Sequence, residues 1–155
     1  MRSNQKLRIL LDTSFVLPTL GIDTGREVSE SLRKLDEVKA ELYYSRFSIL
    51  ESLWIVAKLA KNNTFDADRF SQGLRSILEG GRYKGIEENS KVFEEAIRLR
   101  IIGHRDMIDN VLYSTSLHFN LKLLTLDDEL KEFVRRNKLN DVLISPNQII
   151  YYDTS

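Results

Sequence analysis

The chain has 155 residues, of which 42% are hydrophobic and 30% charged, and this composition predicts one globular domain spanning residues 1–155. Its 23 Lys and Arg residues balance 23 Asp and Glu residues, so nucleic-acid binding would need a local basic patch or bound metal ions rather than overall charge. The absence of cysteine excludes disulfides and thiolate metal sites and fits a cytoplasmic protein. No apolar run reaches the roughly 18 residues of a membrane span, and no signal peptide is expected.

Strands and helices alternate along the chain, as short apolar runs and segments of helical periodicity indicate. The predicted order is strand 6–11, helix 26–40, strand 40–45, helix 47–61, helix 66–80, helix 90–102, helix 105–119, strand 121–126, helix 128–137 and strand 141–145. The strands are continuous apolar runs, which favours an α/β fold with a mainly parallel sheet covered on both faces. In such sheets, sites form beyond the carboxyl ends of the strands.

Acidic residues follow strands or begin helices at four such places: Asp12, Glu51, Asp109 and Asp127. Each has a purely structural explanation. Asp12 can be a turn residue, Ser48 and Glu51 have capping-box spacing, and an aspartate can cap each of the two helices near residues 106 and 127.

Taken together, these four acids predict a cation site. If the strands are parallel, all four carboxylates meet at one edge of the sheet, where bare carboxylates repel one another. An all-oxygen set without His or Cys ligands suits a hard ion such as Mg²⁺ or Mn²⁺. Asp106 faces the same side as Asp109, although capping explains it adequately.

Four motifs carry a resemblance to a known family: "LLDTSFVL", "YYSRFSILES", "DMIDNVLYSTSL" and "LLTLDDEL". Together they resemble the PIN-domain ribonucleases, which include the VapC toxins, over about residues 8–146. The resemblance implies a three-layer α/β/α fold and Mg²⁺- or Mn²⁺-dependent RNA cleavage. It assigns Asp12, Glu51, Asp109 and Asp127 as the catalytic and metal-binding acids. Thr13, Ser14 and Thr125 are then hydroxyl side chains that orient carboxylates or water.

The sequence departs from the family pattern without losing an acidic residue. Asn110 stands where a small apolar residue is usual, and Tyr113 and Asn120 also differ. Residues 64–89 form a longer segment than in compact members. The subfamily, and with it a toxin role, is left open by these differences.

Side chains outside the acidic motifs have less specific interpretations. Arg46 and Arg105 flank the acids and are candidates to contact RNA phosphate, or else they balance the carboxylates. His104 and His118 are expected to be packed or surface residues. The "GRYKG" segment at 81–85 is expected to be an exposed loop.

The stripe of Phe47, Leu50 and Trp54 is expected to lie in the core, with an interface as the second interpretation. By resemblance, the partners would be RNA, a second copy of the chain in a homodimer, and an antitoxin protein.

Three other functions are alternatives to a nuclease. A haloacid-dehalogenase-like phosphatase would need a second aspartate at Ser14, and a receiver domain would need an acidic pair that "LLDTS" does not supply. A non-catalytic PIN-like module that binds RNA or protein remains the main alternative, and the presence of all four acids argues against it.

Overall fold

A five-stranded sheet, in which every strand pair is parallel, forms the centre of the computed structural model, which describes residues 6–152. The strands are β1 Arg8–Leu11, β2 Glu41–Tyr44, β3 Lys84–Gly85, β4 Lys122–Leu124 and β5 Leu143–Ile144, in the spatial order β3-β2-β1-β4-β5. The prediction of a parallel sheet is confirmed. The prediction of one domain over residues 1–155 stays a prediction, and residues 1–5 and 153–155 lie outside the described residues.

Helices connect the strands in the predicted order. They are α1 Thr13–Val16, α2 Arg26–Glu37, α3 Arg46–Lys61, α4 Ala67–Leu78, α5 Ser90–Ile102, α6 Met107–Phe119 and α7 Asp128–Arg136, with 3₁₀ turns at Leu17–Leu20 and Pro146–Tyr152. Most bounds differ from the predicted ones by one to three residues. The short helix α1 and strand β3 were not predicted, since both are too short to show a periodic pattern.

The pleat of β1 divides the interior into two apolar cores. Ile9 and Leu11 point to the core that contains residues of α1, α2 and α4. Leu10 points to the other, with residues of α5, α6 and α7. Since successive strand residues point to opposite faces, the buried run of β1 supplies both cores at once. The predicted three-layer α/β/α architecture is therefore confirmed.

Helix α3 is not buried on all sides, so the buried helix that its nearly all-round apolar residues suggest is wrong. Its packed face carries Ser48, Ser52 and Val56, whereas Leu50 and Trp54 are 42% and 59% exposed. The expectation that these two residues belong to the core was also wrong. The helix packs mainly against α1 and α6, so only one of its faces is covered.

The "GRYKG" segment is only partly the exposed loop that was expected. Lys84–Gly85 forms the edge strand β3, paired in parallel with β2. Tyr83 is buried, and its hydroxyl is 2.7 Å from the hydroxyl of Thr19. The segment 64–89 thus contains α4 and an additional strand.

The strand order places a topological switch point beside β1. From β1 the chain moves to β2 and β3 on one side and later returns to β4 and β5 on the other. The carboxyl ends of β1 and β4 lie side by side at this point, with Leu11 opposite Leu124. Ligand sites of open parallel sheets form in the crevice beyond such ends. Within residues 6–152, no helix combines the length and apolar character that crossing a membrane requires.

Candidate active site

A pocket of about 320 Å³ opens beyond the carboxyl ends of β1 and β4. All four predicted acids line it, together with the predicted hydroxyl residues Thr13 and Ser14. Its walls consist of Asp12, Thr13, Ser14, Leu17, Glu51, Ile55, Asp106, Asp109, Leu126 and Asp127. The structure thus brings together residues that lie up to 115 positions apart in the sequence.

Asp12 is held by hydrogen bonds to both of its carboxylate oxygens. It follows β1 directly and caps α1, where its Oδ1 accepts a 2.7 Å bond from the Thr13 amide. Its Oδ2 accepts a 2.7 Å bond from the hydroxyl of Thr125, which follows β4. The carboxylate is therefore fixed in orientation by groups from the two central strands.

Asp127 lines the pocket and also caps a helix. Its Oδ1 accepts a 3.1 Å bond from the Leu130 amide, which makes it the N-cap of α7. Its own amide donates to the Thr125 hydroxyl at 3.0 Å. The neighbouring Asp128 is the first residue of the helix, as the predicted start of helix 128–137 has it, and its side chain is 97% exposed.

Asp106 and Asp109 come from the start of α6. Asp106 is the N-cap, and its Oδ1 accepts a 3.1 Å bond from the Asp109 amide. Capping was the expected role of Asp106, but the residue also lines the pocket as a fifth carboxylate. Its i,i+3 spacing from Asp109 was the sequence signal for this placement.

Glu51 reaches the pocket from the second turn of α3. The predicted capping box of Ser48 and Glu51 is wrong, because Ser45 is the N-cap and accepts from the Phe47 amide. Ser45 also donates a 2.7 Å bond to Glu88 from the loop after β3. Since Glu51 is not used in capping, its carboxyl group is available to the pocket.

Burial and mutual repulsion raise the pKa values of Asp12 and Glu51. The pKa of Asp12 is raised by burial and by the charges of Asp127 and Asp106, although its hydrogen bonds oppose the shift. The pKa of Glu51 is likewise raised, first by burial and then by Asp106 and Asp12. These shifts record the free-energy cost of crowding negative charges.

Asp109 and Asp127 form a carboxyl–carboxylate pair with opposite shifts. Burial, the hydrogen bond with Asp127 and the neighbouring charges raise the pKa of Asp109 to about 9. Burial also acts on Asp127, but the bond with Asp109 and the amides at the start of α7 outweigh it and lower its pKa. At neutral pH, Asp109 therefore holds the proton and Asp127 is ionised.

The oxygen donors of the pocket suit a hard divalent cation, but they lie too far apart to hold one without moving. All acidic side chains of the pocket offer oxygen, and the buried Thr13 hydroxyl, beside Glu51, makes no hydrogen bond of normal geometry within the described part of the chain. Among residues 6–152, however, no group of three acidic or histidine side chains is close enough to hold an ion as it stands. The carboxylates would have to move closer together around a cation.

The predicted basic and histidine residues do not line the pocket. Arg46 and Arg105 are exposed at the starts of α3 and α6 and do not line the pocket. Neither forms an ion pair with another described residue, so the alternative that they balance the carboxylates is not supported. His118 is exposed beside Asn89, whereas His104 is buried, so both are packed or surface residues as expected.

Comparison with known proteins gives a consistent result at the level of family and fold. Residues 9–136 match the profile of the PIN domain family. No curated protein sequence matches the chain.

Three solved structures illustrate the similarity of fold. PAE2754 from Pyrobaculum aerophilum has a TM-score of 0.67 at 16% identity, with 97% of this chain and 100% of that chain covered. VapBC2 from Rickettsia felis, bound to a DNA fragment from its promoter, has a TM-score of 0.64 at 16% identity, covering 90% of this chain and 98% of that one. A toxin–antitoxin complex from Klebsiella pneumoniae has a TM-score of 0.57, with 16% identity over 89% of this chain and 97% of its own.

Proposed function

The chain belongs to the PIN-domain family, and from this premise we propose that it is a divalent-metal-dependent endoribonuclease that hydrolyses RNA phosphodiester bonds. The observation that carries the proposal is the pocket at the switch point of the sheet, where four separate segments of the chain present five acidic side chains. Purely structural caps would not need to face one cavity.

The proposed ligands are Asp12, Glu51, Asp109 and Asp127, and the ion is Mg²⁺ or Mn²⁺. A divalent ion at this place supplies Lewis acidity, which lowers the pKa of bound water and neutralises charge on the phosphate. The hydroxyls of Thr13, Ser14 and Thr125 keep carboxylates and water oriented, of which the Thr125 bond to Asp12 is the direct example.

Asp109 must lose its proton before its carboxylate can bind a cation as an anionic ligand. With a pKa raised to about 9, it is neutral over the physiological range when the other carboxylates are its only charged neighbours. Binding of the metal ion by Asp109 therefore releases a proton, so the apparent affinity of the site for the ion should rise with pH.

Two exposed arginines are the proposed contacts to the RNA backbone. Arg46 and Arg105 stand at the starts of the helices that carry Glu51 and Asp109, and they are not engaged in ion pairs with described residues. Since the chain has no net charge, such local cations have to supply the attraction to phosphate.

An exposed apolar patch supports the proposed partners, a second copy of the chain and an antitoxin protein. The α3–α5 patch consists of Leu50, Leu53, Trp54, Phe93, Ile97 and Ile101, which are 40–77% exposed. The two helices meet where the rings of Phe47 and Phe93 make an edge contact, with centroids 5.7 Å apart. Large exposed apolar side chains in one place indicate a protein interface.

A toxin role rests on the solved toxin–antitoxin complexes of similar fold and remains part of the proposal. A small neighbouring gene for a DNA-binding antitoxin would favour it. Co-expression with that gene product should relieve growth inhibition by the wild-type chain, and an inactive variant should not inhibit growth at all.

The nuclease proposal is tested with labelled RNA and DNA oligonucleotides, incubated with Mg²⁺ or Mn²⁺ and then with EDTA. We expect RNA cleavage that needs the ion and that Asp12→Asn abolishes together with metal-dependent stabilisation. Pure protein that cuts neither substrate under any metal condition would favour the non-catalytic binding module instead. RNA cleavage by Asp12→Asn at the wild-type rate would mean that the site is misassigned.

A further inference from the structure

His104 and Asn110 form a buried pair beside the pocket. Their side chains are 5% and 0% exposed. The imidazole Nδ1 lies 2.7 Å from Asn110 Oδ1, and Asn110 Nδ2 donates a 2.9 Å bond to the main-chain carbonyl of His104. The two residues thus close a ring of two hydrogen bonds across the start of α6.

The geometry determines which atoms donate. Because Asn110 Nδ2 faces a carbonyl, its Oδ1 is the atom that faces the imidazole, and Nδ1 of His104 must carry the proton. A buried amide without these partners would be costly, so the pair is favourable only while both bonds are formed. An apolar residue at position 110 would form neither bond and would not restrain the loop that contains His104.

The pair connects the two helices that carry Asp109 and Asp127. His104 lies in the loop between α5 and the α6 cap Asp106, while Asn110 directly follows Asp109. The imidazole also packs on Phe133 of α7, with ring centroids 5.0 Å apart. A displacement of His104 would therefore move both the α6 side and the α7 side of the pocket.

We infer that the His104–Asn110 pair is a positioning device that fixes the first turn of α6 and so holds Asp106 and Asp109 at the pocket. Its consequence for ion binding rests on the proposed function, whereas its effect on the α6 turn does not. This role also accounts for Asn110, which stands where a small apolar residue is usual in the family pattern.

Four variants test the inference. Asn110→Leu and His104→Leu remove the bonds, and His104→Asn keeps an N–H donor close to the position of Nδ1. Asn137→Ala is the matched control, because Asn137 Nδ2 also donates a 2.9 Å bond to a main-chain carbonyl, that of Phe133, at the far end of α7.

The first readout is hydrogen exchange of metal-free protein at the amides of Asp109 and Asn110, which donate to the Asp106 side chain and carbonyl. We expect exchange to be roughly 10-fold faster or more in the two Leu variants and unchanged in His104→Asn and Asn137→Ala. Equal protection in all variants overturns the inference.

The second readout is Mn²⁺ affinity by calorimetry. We expect the Leu variants to bind Mn²⁺ roughly 10-fold or more weakly, and His104→Asn and Asn137→Ala to bind as the wild type does. If the Leu variants do not fold, the test rests on His104→Asn. Loss of hydrogen-exchange protection or of Mn²⁺ affinity in this variant then overturns the inference. If wild-type protein neither binds Mn²⁺ nor cuts RNA, the proposed function fails, and the exchange data still decide whether the pair positions α6.

Discussion

Thr125 donates a 2.7 Å hydrogen bond from its hydroxyl to Oδ2 of Asp12, across 113 positions of sequence. The same hydroxyl accepts the amide of Asp127 at 3.0 Å. One fully buried side chain therefore links two acids of the pocket.

Thr125→Val should impair the site more than it impairs the fold. It leaves Oδ2 of Asp12 and the Asp127 amide without their partner, and it removes a bond that lowers the pKa of Asp12. We expect RNA cleavage to fall roughly 10- to 100-fold, with a loss of about 1–3 kcal/mol in the free energy of unfolding. Thr125→Ser, which keeps the hydroxyl, should retain most activity. Steady-state rates and urea unfolding of the three proteins check this, and equal activity of the Val and Ser variants would contradict it.

Asp109→Asn should stabilise the metal-free protein in a pH-dependent way. The pKa of Asp109 rises from 3.8 to about 9 on folding, so between these values the folded state holds a proton that the unfolded state has lost. The free energy of unfolding of the wild type therefore falls as pH rises through this window.

The amide of Asp109→Asn does not titrate, so the variant should match the wild type near pH 3 and exceed it increasingly up to pH about 9. Thermal unfolding in EDTA over this pH range measures the difference. The variant should also fail to cut RNA. A difference in stability that does not change with pH would show that the Asp109 proton is misassigned.

The adjacent acids Asp127 and Asp128 should respond differently to substitution. Asp127→Asn should lose cleavage but little stability, because asparagine caps helices about as well as aspartate. Asp127→Ala should lose cleavage and also about 1 kcal/mol of stability, since the Leu130 amide loses its acceptor. Asp128→Asn serves as the control and should keep full activity, with a stability change of a few tenths of a kcal/mol at most. Cleavage rates and chemical denaturation of the three variants test the assignment, which is reversed if Asp128→Asn is the inactive one.

Trp54→Glu should weaken the proposed homodimer without unfolding the chain. The indole is 59% exposed within the α3–α5 patch, so the substitution removes no described core contact but places a charge in the interface. Leu78→Glu is the control, because Leu78 is 46% exposed on α4, outside the patch. Sedimentation velocity over a concentration series should show a dimer for wild type and Leu78→Glu and a monomer for Trp54→Glu. A wild-type monomer at all concentrations would remove the support for this interface.

The errors of the sequence analysis have a common physical origin. Helix α3 has apolar residues on most of its surface, and nothing in its own periodicity shows that only the serine-bearing face is packed. The capping-box spacing of Ser48 and Glu51 is also a local pattern. In the structure, the chain leaves β2 so that Ser45 caps the helix instead.

The sequence by itself determined the alternation of strands and helices, favoured a mainly parallel sheet and supplied the acids that would stand at its carboxyl edge. These follow from short-range patterns, since apolar runs, turn residues and capping spacing are visible within a few positions. Only the tertiary structure decided that Asp106 joins the other four acids, that burial beside Asp127 raises the pKa of Asp109, and that Asn110 is hydrogen-bonded to His104. Such features depend on distances between segments far apart in the chain and on burial, which sets the cost of each charge, and neither quantity is a local property of sequence.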